Sequence, residues 1–131
     1  MMNKSLLIGR LTMATELKKT AKDKSVLRVT LAVNRQFKNA DGQRDADFIT
    51  IVIWGKPAEL FASYAKKGSL VSIEGELRTR RYDDKAGMTH YVSEVLCHQF
   101  NLLESRTAVA LRENHVDTVD DVILEAEELP F

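Results

Sequence analysis

A period-two alternation of apolar and polar side chains in two segments limits the folds that this chain can adopt. The first segment, residues 27–34, carries apolar side chains at every second position: Leu27, Val29, Leu31 and Val33. The second, residues 47–54, places Ile49, Ile51 and Ile53 on one face and Phe48, Thr50, Val52 and Trp54 on the other. Successive side chains of a strand point to opposite faces of a sheet, so each segment predicts a half-buried strand. In the second strand, Phe48 and Trp54 share one face, about 20 Å apart.

Three further segments predict strands. Around Gly9, which permits the bend or bulge of a curled sheet, lie Leu6, Leu7, Ile8 and Leu11. Alternation resumes from Leu70 to Tyr82, and the segment from Tyr91 to Leu103 returns as a last strand. The lysine-rich residues 15–24 have no periodicity and predict a loop. Residues 39–42 and 83–87 carry the Asp and Gly residues that are typical of turns.

One short helix of about ten residues is predicted between the third and fourth strands. Pro57 suits its first turn, and an apolar stripe is formed by Leu60, Phe61 and Tyr64. Lys66 and Lys67 suit its negative end, just before Gly68. Five strands with one helix in this position is the order of an OB-fold, a five-stranded all-β Greek-key barrel that binds oligonucleotides or oligosaccharides on its outer face.

The charges are divided unevenly along the 131 residues, although the formal net charge is zero. Residues 1–104 hold 17 Lys and Arg against 12 Asp and Glu, whereas residues 105–131 hold 2 against 7. We expect one OB-fold domain over residues 1–104, followed by an acidic tail over residues 105–131. A basic body with an acidic tail is typical of proteins that handle polyanions.

Several function classes are disfavoured by the sequence. It has neither a signal peptide pattern nor an apolar run of about 20 residues, so we expect a cytoplasmic protein without membrane contact. Cys97, in an apolar context, indicates a core or interface side chain rather than a nucleophile. Asp41, Asp45 and Asp47 could suggest a nuclease metal site but are more typical of a solvated loop. The three histidines lack zinc-ligand spacing, and the sequence has no glycine-rich phosphate loop or nucleophile elbow, so we expect no catalysis, cofactor, metal or small-molecule substrate.

Cations and aromatic rings are interleaved in two separate segments. Arg78, Arg80 and Arg81 precede Tyr82, and Arg35 and Lys38 flank Phe37. An unpaired base stacks on an aromatic ring with about 1–3 kcal/mol whatever its identity, while cations neutralise phosphates. The alternative is that the rings are ordinary core or interface aromatics and the arginines a solvated face. Because the isoleucine face of residues 49–53 already supplies a core, we favour a nucleic-acid interface.

Residues 3–103 resemble the bacterial single-stranded-DNA-binding protein family over almost the whole predicted domain. Six segments carry the resemblance, in matching order and spacing: Asn3 to Leu11 (NKSLLIGRL), Leu31 to Arg35 (LAVNR), Ala46 to Gly55 (ADFITIVIWG), Lys66 to Ser69 (KKGS), Ile73 to Tyr82 (IEGELRTRRY) and Tyr91 to Val95 (YVSEV).

The resemblance implies sites for single-stranded DNA and an assembly. Base-contacting aromatics of the family fall at Phe37, Phe48, Trp54 and Tyr82, where other members often have tryptophan at three of the positions. Basic positions of its DNA path fall at Lys56, Lys67, Arg78, Arg80 and Arg81. From strand geometry and the flanking of Phe37, we add Arg28, Arg35 and Lys38. The family also implies a homotetramer that coats DNA in the nucleoid.

The last residues resemble the acidic C-terminal peptide of the family, through which members recruit DNA-processing enzymes. The residues that would bind partners are Glu125, Glu127, Glu128, Leu129, Pro130 and Phe131. An acidic terminus alone would indicate a solubilising tail, but the ending Leu-Pro-Phe favours recruitment. Residues 105–124 are shorter than the usual low-complexity linker. The chain is therefore similar to compact Gram-positive paralogues, several of which are associated with natural transformation.

The expected function is sequence-independent binding and protection of single-stranded DNA during replication, recombination, repair or DNA uptake. One alternative is an OB-fold protein-interaction module, such as a replication-restart accessory, which would lack tight, salt-sensitive binding to oligothymidine. A second is an oligosaccharide-binding or tRNA-binding OB protein, which would prefer a structured ligand.

Overall fold

The computed structural model of the protein describes residues 1–105 and residue 111. Within these residues the chain forms six strands and one helix: β1 (Ser5–Leu11), β2 (Leu17–Lys19), β3 (Ser25–Asn34), β4 (Ala46–Trp54), α1 (Lys56–Tyr64), β5 (Leu70–Asp83) and β6 (Thr89–Leu102). None of the described helices is long and apolar enough to cross a membrane.

The strands form one sheet in the order β1-β5-β6-β4-β3-β2, and a further pairing of β1 with β3 closes it. That closure joins Arg10 to Ala32 and Leu11 to Leu31. The β4–β6 pairing is the parallel one, through Ile51 with Val95 and Val52 with Leu96, while the other neighbours are antiparallel. Five strands therefore make a closed barrel with α1 between β4 and β5, and the predicted OB-fold is confirmed.

The prediction of a loop throughout residues 15–24 is wrong, because Leu17–Lys19 form β2. All three residues are exposed, so no apolar alternation marks them as a strand. Their extended conformation comes from antiparallel pairing with β3, where Leu17 lies opposite Leu27 and Lys19 opposite Ser25. The chain thus has six strands within the described residues, of which β2 is a short addition to the five-stranded barrel.

The barrel interior is filled by the side chains that the alternation assigned to it. The fully buried set includes Leu27, Val29, Leu31, Ile51, Ile53, Phe61, Val71 and Ile73. Ile49 and Cys97 are partly buried against this cluster. Burial raises the pKa of the Cys97 thiol to about 11, which keeps it protonated near neutral pH and agrees with a packing role.

Helix α1 closes one end of the barrel, although its buried face differs from the predicted stripe. Ala58 and Phe61 are buried, whereas Leu60 and Tyr64 are exposed. The Phe61 ring meets Phe100 of β6 edge to face, with centroids 4.9 Å apart. The helix ends at Tyr64, so Lys66 and Lys67 lie beyond it in the loop to β5 rather than in its last turn.

Two glycines allow strands to approach each other closely. A Cβ atom on Gly9 would lie 2.3 Å from the carbonyl oxygen of Ala32, and one on Gly75 would lie 2.1 Å from that of Leu96. Gly9 is therefore required where β1 meets β3. The sheet's register shift lies between Glu74 and Gly75. These approaches close the barrel and set the direction of the β5–β6 hairpin.

Candidate nucleic-acid interface

Strand β4 presents two aromatic rings to solvent. Phe48 is 69% exposed and Trp54 is 44% exposed, while Ile51 and Ile53 on the opposite face are fully buried. The expectation that the two rings share the face away from the core is confirmed. Val52, between them on the same face, is only 3% exposed, so the middle of this face is covered by neighbouring side chains.

The register of the sheet brings cations of other strands to the same face. Arg28 of β3 lies opposite Val52 in the antiparallel β3–β4 pair, and residues in register point to the same side. Val52 also pairs with Leu96 of β6, which has the parity of Glu94. Arg78 of β5 lies opposite Glu94.

By the same register, Arg80 lies opposite Val92 and Tyr82 lies opposite His90. Both β6 partners have the parity of Leu96 and Glu94, so these two β5 side chains also face the side of Phe48 and Trp54. One continuous surface, the outer face, is thus defined by six exposed predicted site residues: Arg28, Phe48, Trp54, Arg78, Arg80 and Tyr82.

A glutamate that the sequence reasoning missed organises the middle of the outer face. The Glu94 side chain is only 11% exposed and bridges two arginines from different strands. Arg28 donates from Nη1 to Oε2 at 2.6 Å, and Arg80 donates from Nε to Oε1 at 3.3 Å. Both arginine side chains remain about half exposed, and each guanidinium has further N–H groups that could donate to a phosphate. Period-two alternation in the last strand would place Glu94 on the outer side of the sheet. Its pairing with Arg28 and Arg80 depends on the register of distant strands, which the local pattern does not determine.

Two side chains surround the Tyr82 ring on the β5–β6 hairpin. The guanidinium carbon of Arg80 lies 5.7 Å from the ring centroid, within the range of a cation–π contact. The His90 ring stacks on the tyrosine with centroids 5.1 Å apart and planes 20° apart. Tyr82 is still 46% exposed, so part of its surface stays open to a base. In the sequence, His90 was weighed only as a zinc ligand. Its stacking on Tyr82 could not be predicted there, because it depends on the register of the β5–β6 hairpin.

Arg78 belongs to a second ion-pair cluster on the hairpin. It donates to Glu76 Oε1 at 2.8 Å, and His98 Nε2 lies 3.4 Å from the same oxygen. The hydrogen bond from Arg78, together with its charge and that of His98, lowers the pKa of Glu76 below its usual value. Glu76 is therefore an anion at neutral pH that offsets part of the Arg78 charge.

Three of the predicted residues lie in the β3–β4 loop rather than in a strand. Arg35, directly after β3, donates to Asp47 Oδ1 from Nη2 at 2.9 Å. That hydrogen bond lowers the pKa of Asp47 and raises the pKa of Arg35. Phe37 is 82% exposed and Lys38 is also exposed. A turn held by Asn39, whose Oδ1 accepts from the backbone N–H groups at 41 and 43, supports the loop.

The remaining basic residues are exposed but do not all lie on the outer face. Lys56 begins α1, two positions after Trp54. Lys67 lies in the loop between α1 and β5, which is held to β1 because Gly68 N–H donates to the carbonyl of Leu11 at 2.8 Å. Arg81 is in register with Tyr91 and so points to the opposite side of the hairpin from Tyr82.

The six predicted partner-binding residues, 125 and 127–131, lie outside the described residues. Their role stays a prediction. Of the two predicted sites, the described residues therefore include only the nucleic-acid interface.

Comparison with known proteins identifies the family to which the chain is similar. The model of the single-strand binding protein family matches residues 2–103. Over all of both chains, the protein is 61% identical to "Single-stranded DNA-binding protein 1" of Streptococcus pyogenes serotype M6 and 58% identical to "Single-stranded DNA-binding protein 2" of Streptococcus agalactiae serotype V. It is 51% identical to "Single-stranded DNA-binding protein" of Enterococcus faecalis over 82% of this chain and 57% of that relative. The chain belongs to the single-strand binding protein family.

Proposed function

We propose that the protein binds single-stranded DNA by laying it across the outer face, with bases on Phe48, Trp54 and Tyr82 and phosphates beside Arg28, Arg78 and Arg80. One observation carries this proposal: exposed rings on β4 and β5 share a side of the sheet with cations from β3 and β5. Membership of the family and the names of its close relatives support single-stranded DNA as the ligand.

Binding of this kind is independent of base sequence and requires no chemistry. Stacking depends on the π-face that every base has, and the phosphates are the same along the strand. Coating an exposed strand also removes hairpins by mass action, because the protein binds only the unpaired state. Phe37, Lys38 and Arg35 on the β3–β4 loop, together with Lys56, Lys67 and Arg81, would extend the path beyond the outer face.

The proposed assembly is a homotetramer, and β1 offers a surface for it. Leu6 and Ile8 on β1 are 70% and 59% exposed, large values for aliphatic side chains. Within the described residues, β1 pairs with β5 along Ser5 to Arg10 but with β3 only at Arg10 and Leu11. One edge of residues 5–9 therefore has no strand of the described chain beside it. Joining several OB domains raises avidity for a long strand.

We propose that residues 1–104 bind DNA and that the acidic tail of residues 105–131 recruits enzymes. The tail sequence ends in Leu129, Pro130 and Phe131, which offer an apolar ring and a terminal carboxylate to a basic pocket. Its shortness relative to the family's usual linker would limit reach. We assign the protein to DNA metabolism in the cytoplasm, in replication, recombination, repair or uptake of DNA.

Titration of oligothymidine against the fluorescence of Trp54, the single tryptophan, tests the proposed binding at two salt concentrations. The proposal predicts quenching and a logarithm of affinity that falls as the logarithm of salt concentration rises. Competition with a hairpin RNA separates the alternatives: preference for the hairpin would favour a structured RNA ligand. Absence of tight, salt-sensitive binding would favour a protein-interaction module.

A further inference from the structure

The tip of the β5–β6 hairpin contains a chain of contacts that ends on Tyr82. The His90 ring stacks on Tyr82, with centroids 5.1 Å apart, and its Nε2 lies 2.7 Å from Asp84 Oδ2. The other carboxylate oxygen, Asp84 Oδ1, accepts hydrogen bonds from the backbone N–H groups of Ala86 and Met88, both at 2.9 Å. The tyrosine ring is thus tied through an imidazole and a carboxylate to the backbone of the turn.

Two contacts fix the orientation of the His90 ring, although its side chain is partly exposed. Its face is against one ring, and its edge is held by a carboxylate whose position the turn fixes. The hydrogen bond from His90 and those from the turn backbone lower the pKa of Asp84, so this partner is an anion near neutral pH. His90 is nevertheless 45% exposed in its side chain, which leaves it accessible to solvent protons.

Few charged groups of the described residues surround the imidazole on this side of the hairpin. From β5, Arg80 lies 5.7 Å from the centroid of the Tyr82 ring. From the turn, Asp84 contacts His90 directly. Asp83 has the opposite parity and accepts from the Thr89 hydroxyl at 2.8 Å. Lys85 also lies in the turn, directly after Asp84. Histidine is the side chain whose charge ordinarily changes between pH 5 and 8.

We propose that His90 is a positioning residue for Tyr82, and that protonation of His90 raises the affinity of the protein for single-stranded DNA. With a neutral imidazole, the Asp84 carboxylate adds a negative charge near the ring on which a base stacks and offsets part of the Arg80 charge there. Protonation converts His90 and Asp84 into a neutral pair. Because the DNA backbone is a polyanion, the strand binds better to the protonated form, and binding is coupled to proton uptake. This inference rests on the proposed function of Tyr82 as a base-stacking residue.

The test measures oligothymidine affinity of the full chain at about pH 6 and about pH 8, at fixed ionic strength, through Trp54 fluorescence. His90→Phe keeps a ring on Tyr82 without a titrating group. His90→Gln keeps a polar group for Asp84 but no ring. His98→Gln measures how much of the pH response comes from the second histidine of β6, whose Nε2 lies 3.4 Å from Glu76 Oε1.

The wild type and His98→Gln are expected to bind about three- to tenfold more tightly at the lower pH. His90→Phe is expected to lose this pH response while keeping its affinity at the higher pH within about twofold. His90→Gln is expected to lose the pH response and to bind about threefold more weakly at the higher pH, because the stacked ring is gone. A pH response that is unchanged in both His90 variants would overturn the inference.

A Tyr82→Ala variant distinguishes failure of the inference from failure of the site. If Tyr82→Ala weakens binding while both His90 variants behave as the wild type, His90 does not position the ring. If Tyr82→Ala binds as tightly as the wild type, the assignment of Tyr82 to the DNA path is wrong, and the inference falls with it.

Discussion

Arg28 and Glu94 meet across the outer face of the barrel, where Arg28 Nη1 donates to Glu94 Oε2 at 2.6 Å. The two residues are 66 positions apart in the chain and belong to strands β3 and β6. Arg80 of β5 binds the other carboxylate oxygen, so one nearly buried anion joins three strands and fixes two guanidinium groups. The cations proposed to hold phosphates are therefore oriented before DNA arrives, which reduces the ordering cost of binding.

Replacement of Glu94 by Ala should lower the free energy of unfolding by about 1–2 kcal/mol, because two arginines lose their shared acceptor and repel each other. Urea unfolding followed by circular dichroism measures the change. Glu74→Ala is the control: its ion pair with Lys4 is exposed, and its loss should cost less than about 0.5 kcal/mol. Equal stability of the two variants would contradict the bridging role.

Replacement of Gly75 by Ala should destabilise the domain by about 2 kcal/mol or more, because the added Cβ would lie 2.1 Å from a backbone oxygen of β6. Gly42→Ala is the matched control. Gly42 has a φ of 78°, but a Cβ added there would have no atom within 4 Å, so only the backbone strain of about 1 kcal/mol applies. Urea midpoints should therefore fall further for Gly75→Ala, and the reverse order would refute the close approach.

Replacement of Arg78 by Ala should weaken binding to all oligonucleotides alike and reduce the slope of log affinity against log salt by about 0.7, the value for one phosphate contact on a single strand. Lys19→Ala is the control. Lys19 has the parity of Leu17, which lies opposite the buried Leu27, and its Nζ lies 3.6 Å from Glu59 of α1, away from the outer face. A salt slope that changes for Lys19→Ala but not for Arg78→Ala would contradict the proposed DNA path across the outer face.

Deletion of residues 129–131 should leave oligothymidine affinity unchanged and abolish recovery of DNA-processing enzymes in a pull-down from a cell extract. The reason is that the terminal ring and carboxylate are the groups that a basic pocket can capture. A full-length chain immobilised in the same way is the reference. Recovery of every partner by the truncated chain would exclude the recruitment role.

The strands that carry the site were predictable from local pattern. Alternation in residues 47–54 separated the buried Ile51 and Ile53 from the exposed Phe48 and Trp54, as the structure confirms. The Asp41-Gly42 turn was predictable too, since Gly42 has a φ of 78° that favours glycine. Strand alternation and turn residues depend only on neighbours in sequence, so a single sequence is enough to predict them.

Features that depend on long-range pairing could not be predicted in the same way. Strand β2 exists because Leu17–Lys19 pair with β3, and nothing in its three exposed side chains indicates it. The role of Glu94 needs the register of four strands at once. The exposed position of Leu60 on α1 depends on how the helix meets the barrel, which its own periodicity does not determine.

Joint replacement of Trp54 and Tyr82 by Ala tests most directly whether bases stack on the outer face. The measurement is the affinity for a labelled oligothymidine by anisotropy, with circular dichroism to verify the fold. Because each ring contributes about 1–3 kcal/mol of stacking, the double variant should bind at least about tenfold more weakly. Tyr64→Ala, which removes a 44% exposed ring from the end of α1, should bind within about twofold of the wild type. Unchanged affinity in a folded double variant would contradict the proposed interface.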